Sequence, residues 1–383
     1  MQRFCFVLAI ALLAGSCKKD EPAPADCSPE PQPTIHTFQG NLGVNDNSAI
    51  IAQDNSIVVV GNLGQQLTLF STNREGSEQW RSNFSVPVSG DASAVVQASS
   101  GDLFVCGETA GANPQALLVK CTANGDTMWS RTYGTPERDD ARNIIATSDG
   151  NLLMVGTTEG FGSDPFGDLF LIKVTTDGDT LWMRSYPDAD QEVPFHLMET
   201  SDGSYLITGT NEDNALPREM LLLKTDADGN QQWRSIVSGG SSEWKWGYST
   251  VELSDGSFIT AGHHTVNGRS QVLLVKTDAS GTVLWERQMG ASERSHIASS
   301  LRANINNTFT VSGHTFDVST STDQVFLMTF DADGTEHWVE HYGTYDNAEA
   351  TNLLLEDNGN FIVVGDANGE ITMWFMDSVG NQQ

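Results

Sequence analysis

A chain of 383 residues with 50 acidic against 20 basic side chains carries a formal net charge of −30 at neutral pH. Such a surface repels phosphate backbones, which excludes a nucleic-acid partner; a cationic ligand or Ca²⁺ suits it better, and the charge also keeps the chain soluble. Past the N-terminus no apolar run reaches the ~18 residues of a membrane-spanning helix, and the composition is that of a globular protein.

In chain order, residues 1–16 come first: one positive charge, Arg3, an apolar stretch from Phe4 to Ala14, then the small pair Gly15-Ser16 before Cys17. This is the layout of a secretory signal whose apolar segment is too short to span a bilayer. Ala14-Gly15-Ser16-Cys17 resembles the lipobox of bacterial lipoproteins, in which the Cys thiol receives a diacylglycerol and becomes the mature N-terminus. Lys18-Lys19-Asp20-Glu21 resembles the start of many Bacteroidetes-type lipoproteins, where an acidic cluster beside the acylated Cys directs export to the cell surface. The resemblance implies lipidation at Cys17 and a place on the bacterial outer membrane, on its periplasmic or cell-surface side. Residues 17–33, rich in Pro, Glu and Ala from Asp20 onward, cannot bury a core and read as a tether.

Of the five Cys, Cys5 leaves with the signal, Cys17 is the anchor and Cys27 lies in the tether. Cys106 and Cys121 end the two strands of a predicted hairpin, on the order of 15 Å apart at strand rise, so no bridge joins them.

From residue 34 to 383 one phrase recurs, clearest as Lys224-Thr225-Asp226-Ala227-Asp228-Gly229-Asn230-Gln231-Gln232-Trp233: an apolar run, a polar turn closed by Gly, and a Trp four residues later. The turn glycines are Gly76, Gly125, Gly178, Gly229, Gly281, Gly334 and Gly380, 46 to 53 residues apart. Each unit reads as four strands: a first leading into a turn such as Ser201-Asp202-Gly203, a second ending in Gly (Gly61, Gly107, Gly156, Gly209, Gly262, Gly313, Gly365), a variable loop, an apolar third, and a fourth bearing Trp80, Trp129, Trp182, Trp233, Trp285 or Trp338. Seven four-stranded units of this size predict an all-β fold, a seven-bladed β-propeller. The seventh unit stops at Gln383, before its fourth strand. Thr34-Ile35-His36-Thr37-Phe38-Gln39-Gly40 resembles the end of a fourth strand, so this N-terminal segment is expected to complete the last blade, with Ile35 or Phe38 near the missing Trp position.

The Asp-x-Asp-Gly turns resemble fragments of calcium loops but lack the further ligands, and Asp228 is replaced by Glu75, Asn124, Ser280 or Val379 in other copies, so they read as hairpin turns. Lys173, Lys224 and Lys276, at the ends of third strands, are expected to pair with Asp149, Asp202 and Asp255 of their own first turns, whereas Lys120 has no such acid. The fourth-strand Trp reads as a wedge between blades.

Asp-x-x-Gly-x-x-x-Trp resembles the tryptophan-docking phrase of PQQ-like propellers, and more closely the delta-60-type repeats of exported bacterial proteins, over roughly residues 48–383. The PQQ resemblance would imply a vicinal Cys pair over the quinone, which this sequence lacks, so no cofactor is expected. The other relatives are outer-membrane lipoproteins that serve as protein-binding scaffolds.

Candidate chemistry lies in the loops that differ between copies, around the central channel. His263 and His314 directly follow second-strand glycines, His264 is adjacent, and His196 and His296 open first strands; Glu192, Glu243 and Glu293 sit in the associated loops. Imidazoles with carboxylates can hold a transition metal or supply acid and base, yet no ligand spacing supports either, and solvated or core-edge histidines are the plainer reading. The loop Glu243-Trp244-Lys245-Trp246-Gly247-Tyr248 offers aromatics that either stack on a sugar or peptide or plug the channel. No nucleophile motif is present. The expected function is therefore non-enzymatic: a membrane-anchored monomeric scaffold binding an envelope protein or glycan through Trp244, Trp246, Tyr248 and the neighbouring histidines. The alternative is a metal-assisted lyase or hydrolase using His196, His263, His296 and His314.

Overall fold

The computed structural model describes residues 35–383 apart from 41, 43–46, 64–65, 85–93, 161–166, 189–190, 213–216, 291–293 and 318. The chain falls into two units, Met1–Gln32 and Pro33–Gln383. The expected signal, the Cys17 anchor and the tether lie outside the described residues, as does Glu293. The described strands form seven sheets, each of four antiparallel strands, and together they make a seven-bladed β-propeller.

Blade four illustrates the plan, with strands Gln191–Glu199, Tyr205–Glu212, Glu219–Thr225 and Gln231–Val237 paired in that order. The two middle strands are buried on both faces, as their near-continuous apolar runs dictate, and the fourth is half exposed. The cores lie between blades. Val60 and Leu69 of blade one pack with Val105 and Leu117 of blade two. Equivalent clusters join two to three, three to four, four to five, five to six and six to seven. A further cluster joins Ile362 and Met373 of blade seven to Ile57 and Phe70 of blade one, so packing closes the ring.

The closing strand is Ile35–Phe38, antiparallel to Glu370–Met376, with Ile35 opposite Trp374 and Phe38 opposite Ile371. This corrects one expectation. Trp233 stands opposite Lys224, and in blade seven the matching place, opposite Phe375, is taken by neither Ile35, which stands opposite Trp374, nor Phe38. The contact that Trp makes elsewhere passes to His36, on the same strand face two residues on. A Cβ on Gly76 would land on the His36 ring, just as one on Gly125, Gly229, Gly281 or Gly380 would land on the Trp of the preceding blade, and one on Gly178 or Gly334 would meet Arg131 or Arg287 with the Trp beside it. His36 also meets Phe375 edge-on at 5.7 Å. Trp233 Nε1 donates to the Ala279 carbonyl at 3.0 Å. Tyr133, Tyr186 and Tyr342 donate their hydroxyls to the next blade's turn Gly carbonyls at 2.8, 2.6 and 2.6 Å.

Lys173 and Lys224 pair with Asp149 and Asp202 at 2.6 and 2.8 Å. Burial pushes those two carboxyls up, but the bonds from Lys and Thr outweigh it and hold both well below the usual range. Two details differ from expectation. Lys120 does find an acid, Asp102, two residues further along its turn, at 3.0 Å. Lys276 donates instead to the Ala332 carbonyl at 3.5 Å, while Asp255 accepts from Ser257. The Asp226 carboxylate accepts from the backbone N–H of Asp228 and Asn230 at 3.0 and 2.8 Å, closing its own turn. Cys106 lies within its strand rather than at the end, because Leu103–Glu108 runs on past the Gly; it sits three rungs from Cys121, on the opposite face, and both are buried and free.

Candidate functional site

In blades one to three the first strands have 3, 4 and 4 residues; in blades four to six they have 9, 10 and 9. The predicted loops in this half of the ring are therefore strands, which is the main correction to the sequence reading. In blade five Trp244, Lys245 and Trp246 pair with Thr265, His264 and His263. The cause is the tip: Asn267 and Gly268 both have positive φ, 53° and 76°, so the hairpin turns in two residues and its arms stay paired to the end.

A β-bulge in each extended first strand re-aims the next side chains, at Pro194/His196 in blade four, Gly247/Ser249 in blade five and Ala298/Ser300 in blade six. The recurring second-strand Gly faces that bulge. A Cβ on Gly209, Gly262 or Gly313 would strike the carbonyl of Val193, Trp246 or Ile297, so no larger residue fits. The bulge residues Phe195 and Tyr248, from neighbouring blades, then meet at 4.7 Å.

Around them lies an aromatic stack. Trp246 is parallel to Tyr248 within 4° at 6.2 Å and stacks on His263 at 5.3 Å, and Tyr248 stacks on His263 at 5.6 Å. The guanidinium of Arg218 lies 4.2 Å over Trp246 and 5.5 Å from Trp244, and its Nε donates to Glu212 at 2.9 Å. Trp244 remains 45% exposed. Lys245, on the other strand face, is buried with its Nζ 2.6 Å from Glu286. Trp246 and Tyr248 are thus built into the packing, and Trp244 with Arg218 forms the solvent-facing end of the stack.

The histidines do not assemble into one centre. His263 is 6% exposed, and burial, then His314, His264 and Arg218, pushes its pKa down to about 3. Burial takes His314 and His296 down to about 4. His296 Nε2 meets His341 Nε2 at 3.3 Å, one ring donating to the other. His264 Nε2 lies 3.2 Å from Glu243. His196 is buried just after the blade-four bulge. Glu192 is fully buried; burial raises it to about 7 against the Arg234 guanidinium that it accepts from. Among the described residues no three His, Cys, Asp or Glu side chains are placed to hold a metal ion. A general base works best with a pKa near the operating pH, and these buried imidazoles sit about three units below it. Sequence reasoning missed Arg218, Phe195 and His341, because each reaches its partner across blades or strands and no local spacing marks it.

No family model matches the chain. Over 205 residues, 48% of the chain, it is 25% identical to the regulatory protein FlaEY of Caulobacter vibrioides, and the match spans 21% of that relative's length. Among solved structures it is similar to a protein of unknown function from Dyadobacter fermentans, with a TM-score of 0.52 and 12% identity over 76% of this chain and 97% of that one. Puromycin hydrolase gives a TM-score of 0.59 at 14% identity over 90% of this chain and 55% of its own. The polysaccharide lyase Uly1 gives 0.50 at 10% identity over 92% and 94%. At these identities the likeness is one of fold, and a propeller fold hosts enzymes and scaffolds alike.

Proposed function

We propose that the chain is a non-enzymatic binding propeller, lipid-anchored through Cys17 in the bacterial outer membrane, that presents the Trp244–Arg218 end of the aromatic stack to an envelope protein or a glycan. One observation carries the reading: an indole that is 45% exposed, with a guanidinium held beside it and over a second, half-buried indole. Trp and Arg supply most hot spots in protein interfaces, and a stack anchored in packed strands arrives pre-organised, so little entropy is lost on docking. That composition favours the protein partner over the glycan. The histidines offer the enzymatic alternative little support, since three of them are held neutral by burial and no three acidic or imidazole ligands converge among the described residues.

The test is capture of envelope proteins, alongside a glycan array, by the native chain and by Trp244→Ala. We expect the variant to lose at least about tenfold in affinity for whatever the native chain retains. Equal retention by the two proteins would remove this patch from the function. Cys17→Ser should move the protein from the membrane to the soluble fraction, and membrane retention would refute the anchor.

A further inference from the structure

At the opposite end of the blades from Trp244, on the edge formed by the first and third turns, blades two to five carry Lys at the end of the third strand, and the seam between blades six and seven lacks it, as do the matching places in blades one and seven, Ser71 and Phe375. In blade three the Lys173 ammonium donates at 2.7 Å to the hydroxyl of Tyr205, the first second-strand residue of the next blade, while pairing with Asp149. Lys224 lies 5.7 Å from the ring of Phe258, the residue in the same place, while pairing with Asp202. Each Lys stem thus fills the wedge between a fourth-strand Trp and the following blade.

Blade six breaks the pattern twice. The place of Lys224 opposite Trp233 is taken by Thr329 opposite Trp338, and the place of Asp202 by Asn306. Thr329 is too short to reach Phe361, the counterpart of Phe258, and a cavity of about 350 Å³ opens between Thr329, Trp338 and Phe361. That volume falls within the range of small-molecule sites. At its mouth stand Ile305, 70% exposed, from blade six and Val379, 60% exposed, from blade seven. Asn306 of blade six and Asn358 of blade seven both line the cavity. Their Oδ1 atoms accept from their own turns, and their Nδ2 groups have no partner among the described residues.

We propose that this cleft binds a neutral hexopyranose, as a free sugar or the end of a glycan. An indole beside apolar lips offers a flat surface for the C–H face of a pyranose, and the two carboxamides offer N–H donors to its hydroxyls. No Lys or Arg lines the cleft to hold a carboxylate or phosphate, its one basic side chain, His337, lies 3.6 Å from the Asp331 carboxylate, and the net charge of −30 opposes anions. The site lies away from the Trp244 patch and does not depend on its role.

Saturation-transfer NMR on the full chain tests this, with D-glucose, D-galactose, D-mannose and N-acetyl-D-glucosamine offered singly at about 10 mM, where millimolar sites fill, and D-glucuronate as the anionic control. At least one neutral sugar should receive saturation and glucuronate should not. Thr329→Lys, which returns the residue that blades two to five carry, should fill the cleft and weaken that binding at least tenfold in a chain that still folds. Should that variant fail to fold, Asn306→Ala/Asn358→Ala, at two exposed turn positions, should weaken binding instead. Trp244→Ala should leave it unaltered. No transfer to any of the four sugars, or native affinity in a folded Thr329→Lys or the double variant, would overturn the proposal.

Discussion

His263 shows how burial decides what a residue does. Its imidazole, packed against both Trp246 and Tyr248, is held to about 3 against an ordinary 6.5. The unfolded chain therefore binds a proton between those values that the folded chain refuses, so the stability is complete above pH 6.5 and falls as pH drops. Each such histidine contributes a slope of about 1.4 kcal/mol per pH unit. Glu192, raised to about 7, acts with the opposite sign between 4.5 and 7, so the wild-type profile alone does not isolate one group. The comparison that does is His263→Gln: its loss of urea stability from pH 7.5 to 5 should be smaller than that of the native chain by about 2 kcal/mol. Equal losses would mean that His263 is charged in the folded state. The sequence made these imidazoles visible, and with them the question of chemistry. Their answer lay in neighbours on other strands, because desolvation is a property of the packing and leaves no mark in spacing.

A blade holds its neighbour through glycine. Gly281 and Gly268 have nearly the same positive φ, 82° and 76°, but a Cβ on Gly281 would overlap the Trp233 ring, whereas one on Gly268 would meet nothing within 4 Å. Both alanine variants bear the left-handed backbone cost of about 1–2 kcal/mol. Only Gly281→Ala must also push a wedge out of an interblade core, which adds about 1–3 kcal/mol of overpacking. Urea unfolding should rank the two in that order, and equal losses would show that the Trp–Gly contact yields freely. The repeat itself was legible at this scale, since Gly, Trp and the polar turns are local signals. Strand lengths were less so. Reading everything after Gly262 as loop overlooked Asn267-Gly268, a two-residue turn signal that lets His263, His264 and their partners Trp246 and Lys245 stay in a ladder. The Lys120–Asp102 pair escaped because its acid sits on the far side of the turn Gly, a shift that side-chain reach absorbs.

Seven interblade cores make a ring only if the last blade has a fourth strand, and here that strand, Ile35–Phe38, precedes the first blade in the chain. Sequence reasoning anticipated the closure from the truncated seventh repeat but not the use of His36, because the wedge is supplied two residues past the Trp register. Removing residues 34–40 would strip His36 from Gly76 and Phe38 from Phe70, which it meets at 5.1 Å, and would bare the backbone edge of Glu370–Met376. An open edge of that length is a template for another chain, yet molecules carrying a charge of −30 repel one another. Ionic strength decides which effect wins. At about 0.01 M salt the Debye length is ~30 Å and the deletion variant should stay monomeric; at about 1 M it is ~3 Å, and edge-to-edge association should follow. Size-exclusion chromatography at the two salt concentrations reads the association, and a melting temperature lowered by at least about 5 °C in low salt reads the lost packing. A variant that melts with the native chain and stays monomeric at both concentrations would show that the ring is held without its N-terminal strand.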